Sequence, residues 1–219
     1  MKKLIISFFI FFNLYLMAAA DVMPYYINSL RRYGIGYTQV SSPLIMRREA
    51  KIDGEILETL NFNFKEEKTT CEKNPDRCDI DGVFAAYSKS KKIAFMTTLD
   101  YSDDWSLVCF NQSETPVCGW VEEKEKNKYY TLAEFFNIFG KKHGVYLFKD
   151  LEKKDKILYG AAAKETNSLG SIEMPKMITP WLIRGNWMLV KVHDFNNQFK
   201  TGWLNYRGTD GKLKLFVNF

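Results

Sequence analysis

Two segments of the chain share one pattern. Asp103–Val121 reads DDWSLVCFNQSETPVCGWV and Gly185–Leu204 reads GNWMLVKVHDFNNQFKTGWL. Each runs from a Trp through an apolar stretch and a polar middle to Gly-Trp. Trp105 to Trp120 spans 15 positions and Trp187 to Trp203 spans 16. Repetition of this kind means that one supersecondary unit is used twice, which limits the possible folds more than any local propensity does.

The match continues upstream. Pro43–Leu57 reads PLIMRREAKIDGEIL and Gly144–Leu158 reads GVYLFKDLEKKDKIL, each an apolar strand, a charged turn region and Ile-Leu. Tyr25-Tyr26 precedes a short helix-like run ending at Gly34, and Tyr129-Tyr130 another ending at Gly140. In the second run, Thr131 and Glu134 form a capping box, each side chain able to serve the other's backbone N–H. Leu132, Phe135, Phe136 and Phe139 fall on one helical stripe, which reads as packing against one or both neighbouring units. Gly140 is expected to stop that helix. Elsewhere the signal is short strands: Ile93–Leu99, Trp105–Phe110, Val117–Val121, Trp187–Val192, Thr201–Tyr206 and Leu213–Val217.

The N-terminal stretch is set apart from the repeat. Lys2 and Lys3 precede an apolar run from Leu4 to Met17, and Ala18-Ala19-Ala20 offers an A-x-A cleavage site. That order is expected of a secretory signal peptide over residues 1–20. The apolar run is shorter than a bilayer span of roughly 20 residues. The expectation is an exported protein, periplasmic or extracellular, with no stable membrane insertion after cleavage. The formal net charge of +5 falls to +3 without Lys2 and Lys3, and so weak a balance gives no reason to expect a nucleic-acid partner.

Four cysteines in an exported chain favour two disulfides. Sequence alone permits three connectivities. Proximity favours Cys71–Cys78 and Cys109–Cys118. With a turn centred on Ser113-Glu114, Cys109 lies opposite Cys118 and Leu107 opposite Trp120, at a separation suited to a disulfide. Neither spacing is CxxC and the chain has only His143 and His193, so no metal site and no cofactor are expected.

The order strand, charged loop, Ile-Leu, acidic or Gly turn, Trp-x-x-Val, hairpin, Gly-Trp resembles the bacterial SH3 (SH3b) domain. Asp104-Trp105-Ser-Leu-Val108 with Gly119-Trp120-Val121 resembles its final hairpin, and Asn186-Trp187-Met-Leu-Val190 with Gly202-Trp203-Leu204 does so again. The resemblance implies a mainly β chain of two small SH3-like β-barrels joined by a short amphipathic helix. Its parts are a signal peptide (1–20), an N-terminal segment with a short helix (21–34), a first barrel (35–123) with an insertion near 64–81, a linker helix (124–143) and a second barrel (144–219). Exported members of that family resemble binding modules for peptidoglycan, its peptide stems or protein partners, often attached to hydrolases.

The sequence lacks H-E-x-x-H, G-x-S-x-G and a Gly-rich phosphate loop. Cysteines held in disulfides offer no thiolate. Asp79-Ile80-Asp81-Gly82 has too few ligand positions for a calcium loop. The expectation is therefore a non-enzymatic module that binds peptidoglycan or an envelope protein. The alternative is an adaptor or regulator of a cell-envelope enzyme, or an accessory to a cell-wall hydrolase. Small barrels bind along loops that expose aromatics, with Tyr, Trp and Arg as common anchors. The candidate ligand-binding residues are Arg47, Arg48, Tyr101, Asp104 and Trp105 in the first copy, and Phe148, Trp181, Arg184 and Trp187 in the second. Trp120 and Trp203 are expected in or near the core.

Overall fold

The computed structural model describes residues 30–219 except 74, 76–77, 79, 111–115, 125–126, 173–174, 196–197 and 218. The chain is mainly β and forms two sheets. The first contains β1 (Gly36–Val40), β2 (Leu44–Arg47), β3 (Ile56–Asn63), β4 (Lys68–Cys71), β5 (Ala86–Ser88), β6 (Ile93–Ser102), β7 (Trp105–Phe110), β8 (Val117–Glu122) and β9 (Lys128–Thr131). The second contains β10 (Val145–Leu147), β11 (Ile157–Tyr159), β12 (Ser168–Ser171), β13 (Pro175–Arg184), β14 (Trp187–Asp194), β15 (Phe199–Asn205) and β16 (Leu215–Val217).

The first sheet runs β4-β3-β2-β8-β7-β6-β1-β9, with β5 added to β6; the second runs β12-β11-β15-β14-β13-β10-β16. Removing β4 and β5 from the first leaves the order of the second, strand for strand. β1 corresponds to β10, β2 to β11, β3 to β12, β6–β8 to β13–β15 and β9 to β16. This corrects the upstream alignment read from the sequence. Pro43–Leu57 begins at β2, whereas Gly144–Leu158 begins at β10, the counterpart of β1. The two stretches look alike because any apolar strand followed by a charged turn and Ile-Leu gives that text; only pairing partners distinguish the strands. Among the described residues each order is an open path, so the sheets do not close into the expected barrels.

Irregularities repeat along with the order. The β6–β7 register shifts between Thr98 and Asp100, and the β13–β14 register shifts between Pro180 and Leu182. Leu99 and Trp181 are thus bulge residues in equivalent places, which bends both long strands. The Gly of each Gly-Trp pair meets a crossing strand. A Cβ on Gly119 would lie 2.9 Å from Met46 Cβ and 3.2 Å from the Arg47 carbonyl. One on Gly202 would lie 3.1 Å from Leu158 Cβ and 3.2 Å from the Tyr159 carbonyl. Met46–Arg47 and Leu158–Tyr159 are corresponding positions, so the repeated glycine is a consequence of the repeated crossing. Its Trp neighbour points the other way. Trp120 and Trp203 are half-buried rather than core, because alternation along a strand sends adjacent side chains to opposite faces.

Both disulfides, Cys71–Cys78 and Cys109–Cys118, are present. Cys109 faces Cys118 and Leu107 faces Trp120 across β7 and β8, in the register the sequence suggests. The expected turn centre, Ser113-Glu114, lies outside the described residues. In the second copy Lys191 and Thr201 occupy the disulfide's place. The segment from 64 to 92 has no counterpart in the second sheet. It carries β4, a short helix α2 (Ile80–Val83), β5 and the Cys71–Cys78 staple, and follows a preceding helix α1 (Leu30–Tyr33) in chain order.

A longer helix, α3, joins the sheets. It starts at Leu132–Phe135, passes through a π-helical turn over Phe136–Gly140 and ends at Lys141–His143. The capping box forms: Thr131 Oγ1 accepts the Glu134 N–H at 3.2 Å, and Glu134 Oε2 accepts the Thr131 N–H at 2.9 Å. Gly140 does not stop the helix, contrary to the sequence reading. It is needed for space, with Pro180 Cγ and Val145 Cγ1 at 3.0 and 3.1 Å from where its Cβ would be. Gly144, at φ 79°, ends the helix instead, in a left-handed conformation that glycine adopts without cost. Strand β9, within the segment read as linker, pairs with β1.

Leu132, Phe135 and Phe136 are buried in a core that also holds Tyr37 and Phe95 of the first sheet and Val145, Ile178, Met188, Val190 and Val217 of the second. The helix stripe therefore glues both sheets into one hydrophobic unit. A second core, with Leu44, Met46, Leu60, Phe84, Met96 and Val108, belongs to the first sheet alone. α1 is tied across the molecule: Arg32 Nε donates to the Leu213 carbonyl at 2.8 Å, and Leu213 N–H donates to the Arg32 carbonyl at 2.7 Å.

Candidate functional site

The tight connection from β6 to β7 is made by Asp103 and Asp104, at φ 47° and 65°. Two consecutive positive φ values match the right-handed twist of a hairpin. Asp and Asn enter that region more readily than most residues. The turn delivers Trp105 to the first position of β7, opposite Glu122 of β8. The Asp104 carbonyl accepts the Glu123 N–H at 2.7 Å and locks the turn to the end of β8.

A cleft of about 680 Å³ opens beside Trp105, lined by Ser41, Ser42, Pro43, Ile45, Arg47, Glu122, Lys124 and Asn127. That size is ordinary for a small-molecule or peptide site. Trp105 itself is 8% exposed and forms a rigid wall, while Ile45 is 40% exposed. Arg47 Nη1 donates to the Gly54 carbonyl at 2.8 Å, which fixes the guanidinium and leaves its other N–H donors for a ligand. On the far wall Asn127 Oδ1 accepts from Ser41 N at 3.1 Å and Ser41 Oγ at 3.2 Å, and Asn127 Nδ2 donates to the Glu122 carbonyl at 3.3 Å. Lys124 pairs with Glu122. The cleft thus offers an aromatic wall, fixed Arg donors, hydroxyls and one ion pair.

Next to the turn, Tyr101 stacks on Tyr129 with centroids 4.4 Å apart. Its hydroxyl donates to Glu123 Oε2 at 2.7 Å, with Asp104 Oδ1 at 3.3 Å. The hydrogen bond to Glu123, then burial, hold this phenol protonated well above its usual range. Tyr101 and Asp104 therefore buttress the turn that carries Trp105 and do not line the cleft. Arg48 is exposed and turned to Glu55, its Nε 2.7 Å from Oε2. That hydrogen bond raises the Arg48 pKa and lowers that of Glu55.

Of the five residues expected in the first copy, the structure brings Arg47 and Trp105 together in the cleft. The sequence reading omitted Ser41, Ser42, Pro43, Ile45, Glu122, Lys124 and Asn127. The sequence held one usable signal for them: Asn127, in EKEKNKYY, is a turn former whose side chain bonds local backbone. The remainder depend on how β2 crosses β8, which no local pattern reveals.

The four candidates of the second copy are scattered. Arg184 and Trp187 face each other across β13 and β14. Trp187 is half-buried, edge-on to Tyr159 with centroids 5.5 Å apart. Trp181, the bulge residue, is 50% exposed. Phe148 lies after β10, at the opposite end of the strand order from β11, where the Arg32 guanidinium sits 4.4 Å above its ring and Phe216 packs at 5.0 Å. Arg32 also pairs with Asp150 at 2.6 Å. Phe148 thus helps hold α1 in place.

All four cysteines are in disulfides. Among the described residues no three His, Cys, Asp or Glu side chains are grouped to hold a metal ion, and no helix is long and apolar enough to cross a membrane. His143 meets Lys91 Nζ at 2.8 Å and His193 stacks on Phe199 at 4.4 Å. Compared with known proteins, the chain matches no family model and no curated protein.

Proposed function

We propose that the chain is an exported, non-enzymatic binding module, a diverged tandem relative of the bacterial SH3 domain, that recognises peptidoglycan or an envelope protein through the groove beside Trp105. The observation that carries this reading is the convergence of Arg47 and Trp105 on one open cleft with the Asn127–Ser41 amide and hydroxyl pair. Peptide stems present carboxylates and amides. A fixed guanidinium recognises the first in two-pronged fashion, side-chain amides and hydroxyls recognise the second, and a rigid indole supplies apolar contact. The two disulfides support an oxidising compartment, in keeping with the signal-like residues 1–20.

The test is sedimentation of residues 21–219 with purified sacculi. Retention at low salt is expected, with Arg47→Ala and Lys124→Ala weakening it at least tenfold and leaving thermal unfolding in place. No retention of the parent chain removes the peptidoglycan version. The second reading, an adaptor for an envelope enzyme, is favoured by the aromatic surface of the second sheet, where Phe195 is 70%, Phe199 57% and Trp181 50% exposed. Such surfaces mark protein contacts. Crosslinking in cells that traps one protein and no wall material selects it.

A further inference from the structure

The outer face of the second sheet is a surface separate from the Trp105 groove. Along β14, Met188, Val190 and Val192 are buried in the shared core, so Trp187, Leu189, Lys191 and His193 alternate to the other face. Directly opposed residues share a face. Leu189 is opposite Leu182 of β13 and Trp203 of β15, and His193 is opposite Met177 and Phe199. Arg184 is opposite Trp187. Strand register therefore gathers these side chains on one sheet face.

That face is apolar, aromatic and cationic. Phe195, Phe199 and Trp181 are the three most exposed aromatic rings among the described residues, and all lie on β13 to β15 or at their ends. Exposed rings scattered singly are ordinary, whereas rings gathered in one place mark a contact. Lys191 Nζ sits 4.2 Å over the Phe199 ring, and His193 stacks on the same ring at 4.4 Å. The register puts no Asp or Glu on the face. Among the described residues neither Arg184 nor Lys191 has a carboxylate within ion-pair distance. Asp194, at the end of β14, is engaged in the turn: its Oδ1 accepts the Gln198 N–H at 2.9 Å. In the first copy the places of Leu182 and Asn205 hold Asp100 and Glu122, so only the second copy has this face free of acids.

Charge and size choose the occupant. A two-fold dimer meets itself, which would set Arg184 and Lys191 against an equally acid-free face. Trp187 to His193 is about 20 Å of strand and β13 to β15 are about 10 Å across, a footprint of about 200 Å². A globular partner needs about 800 Å². A bilayer needs no matched outline; it takes aromatic rings at headgroup depth and cations beside them. We propose that this face docks the protein on an anionic phospholipid bilayer. Phe195 and Phe199 enter the headgroup layer, while Arg184 and Lys191 meet lipid phosphates. The adaptor reading gives the same surface to a protein, and that occupant is an outcome of the test.

The test is flotation of residues 21–219 with lipid vesicles. This chain keeps every described residue and omits the apolar run 4–17, which would partition into lipid by itself. Vesicles of equal parts phosphatidylglycerol and phosphatidylcholine should carry the protein, and added salt should release it. Vesicles of phosphatidylcholine alone should bind at least tenfold more weakly. Phe195→Ser with Phe199→Ser, both at exposed positions, should weaken flotation at least tenfold with thermal unfolding unchanged. Arg184→Glu with Lys191→Glu should weaken it as much by charge reversal. Arg47→Ala should leave flotation unchanged. Purified sacculi hold no phospholipid, so their retention succeeds or fails independently of this result. The proposal is overturned if the anionic vesicles do not float the protein, if phosphatidylcholine alone binds equally well, or if either double variant floats like the parent. A concentration-dependent dimer lost in the Phe195→Ser, Phe199→Ser variant overturns it too, because the occupant is then a second copy. So does crosslinking from position 199 to one protein without vesicle binding, which gives the face to the adaptor reading.

Discussion

The hairpins that begin at Trp105 and Trp187 share strand register, bulge position and crossing glycine, yet their tryptophans have different neighbours. One corresponding position differs in kind. Where β2 carries Arg47, β11 carries Tyr159, and each is the residue opposite the Gly-Trp tryptophan. Tyr159 lays its ring edge against Trp187, whereas Arg47 reaches to the Gly54 carbonyl and leaves Trp105 facing space. The two copies share the parts that the backbone requires and differ on their outer faces.

The staple distinguishes the copies most. Replacing Cys109 and Cys118 by Ala should lower stability by about 2.5 kcal/mol, the loop-closure value for a bridge with sequence separation 9. Slow amide exchange across β7 and β8 should persist, because the second hairpin forms with Lys191 and Thr201 at those places. Loss of that protection would mean that the two hairpins are held by different means. Gly119→Ala comes next, at about 2 kcal/mol in urea unfolding, because its neighbours are Met46 Cβ and backbone. Gly202→Ala should cost about 1 kcal/mol, since its nearest contacts, Leu158 Cβ and Leu169 Cδ1, lie at 3.1 Å rather than 2.9 Å. Equal costs would show that the two crossings are equally tight.

Arg47→Tyr should copy the second arrangement into the first and weaken sacculus retention about tenfold, or about 1.4 kcal/mol, whereas Tyr159→Ala should leave it unchanged. The smallest contrast is in the turns. Gly185, at φ 53°, should lose about 1 kcal/mol on change to Ala. Asp103→Gly should alter stability by only a few tenths, because Asp already tolerates φ 47° there. Thermal melts of the paired variants decide both.

The repeat, the hairpin register and the capping box were legible because each depends on residues close in sequence. Cys109 opposite Cys118 follows from counting around a turn, and Thr131 with Glu134 from one helical turn. The upstream alignment failed because β1 and β2 are both short apolar strands, and their identity resides in partners far along the chain. Gly140 misled for a related reason. Its small size serves a contact with Pro180 across the sheets, and terminal glycine and contact glycine look the same in text. Most of the groove was equally hidden: Arg47 and Trp105 were legible as anchor types, while Ser41 and Asn127 reach the site only through the β1–β9 pairing. Trp120 looked like core by its chemistry, but the alternation beside Gly119 turns it outward.

The clasp between Arg32 and Leu213 bridges 181 positions. Synthesis runs from residue 1 upward, so α1 is made early and its partner arrives only when residue 213 is free. Until then Phe95 and Phe135 also lack Phe219, which packs 5.3 and 6.4 Å from them. The molecule is thus closed by a late-arriving segment. A chain halted before that point would leave the Phe95–Phe135 seam without its last ring.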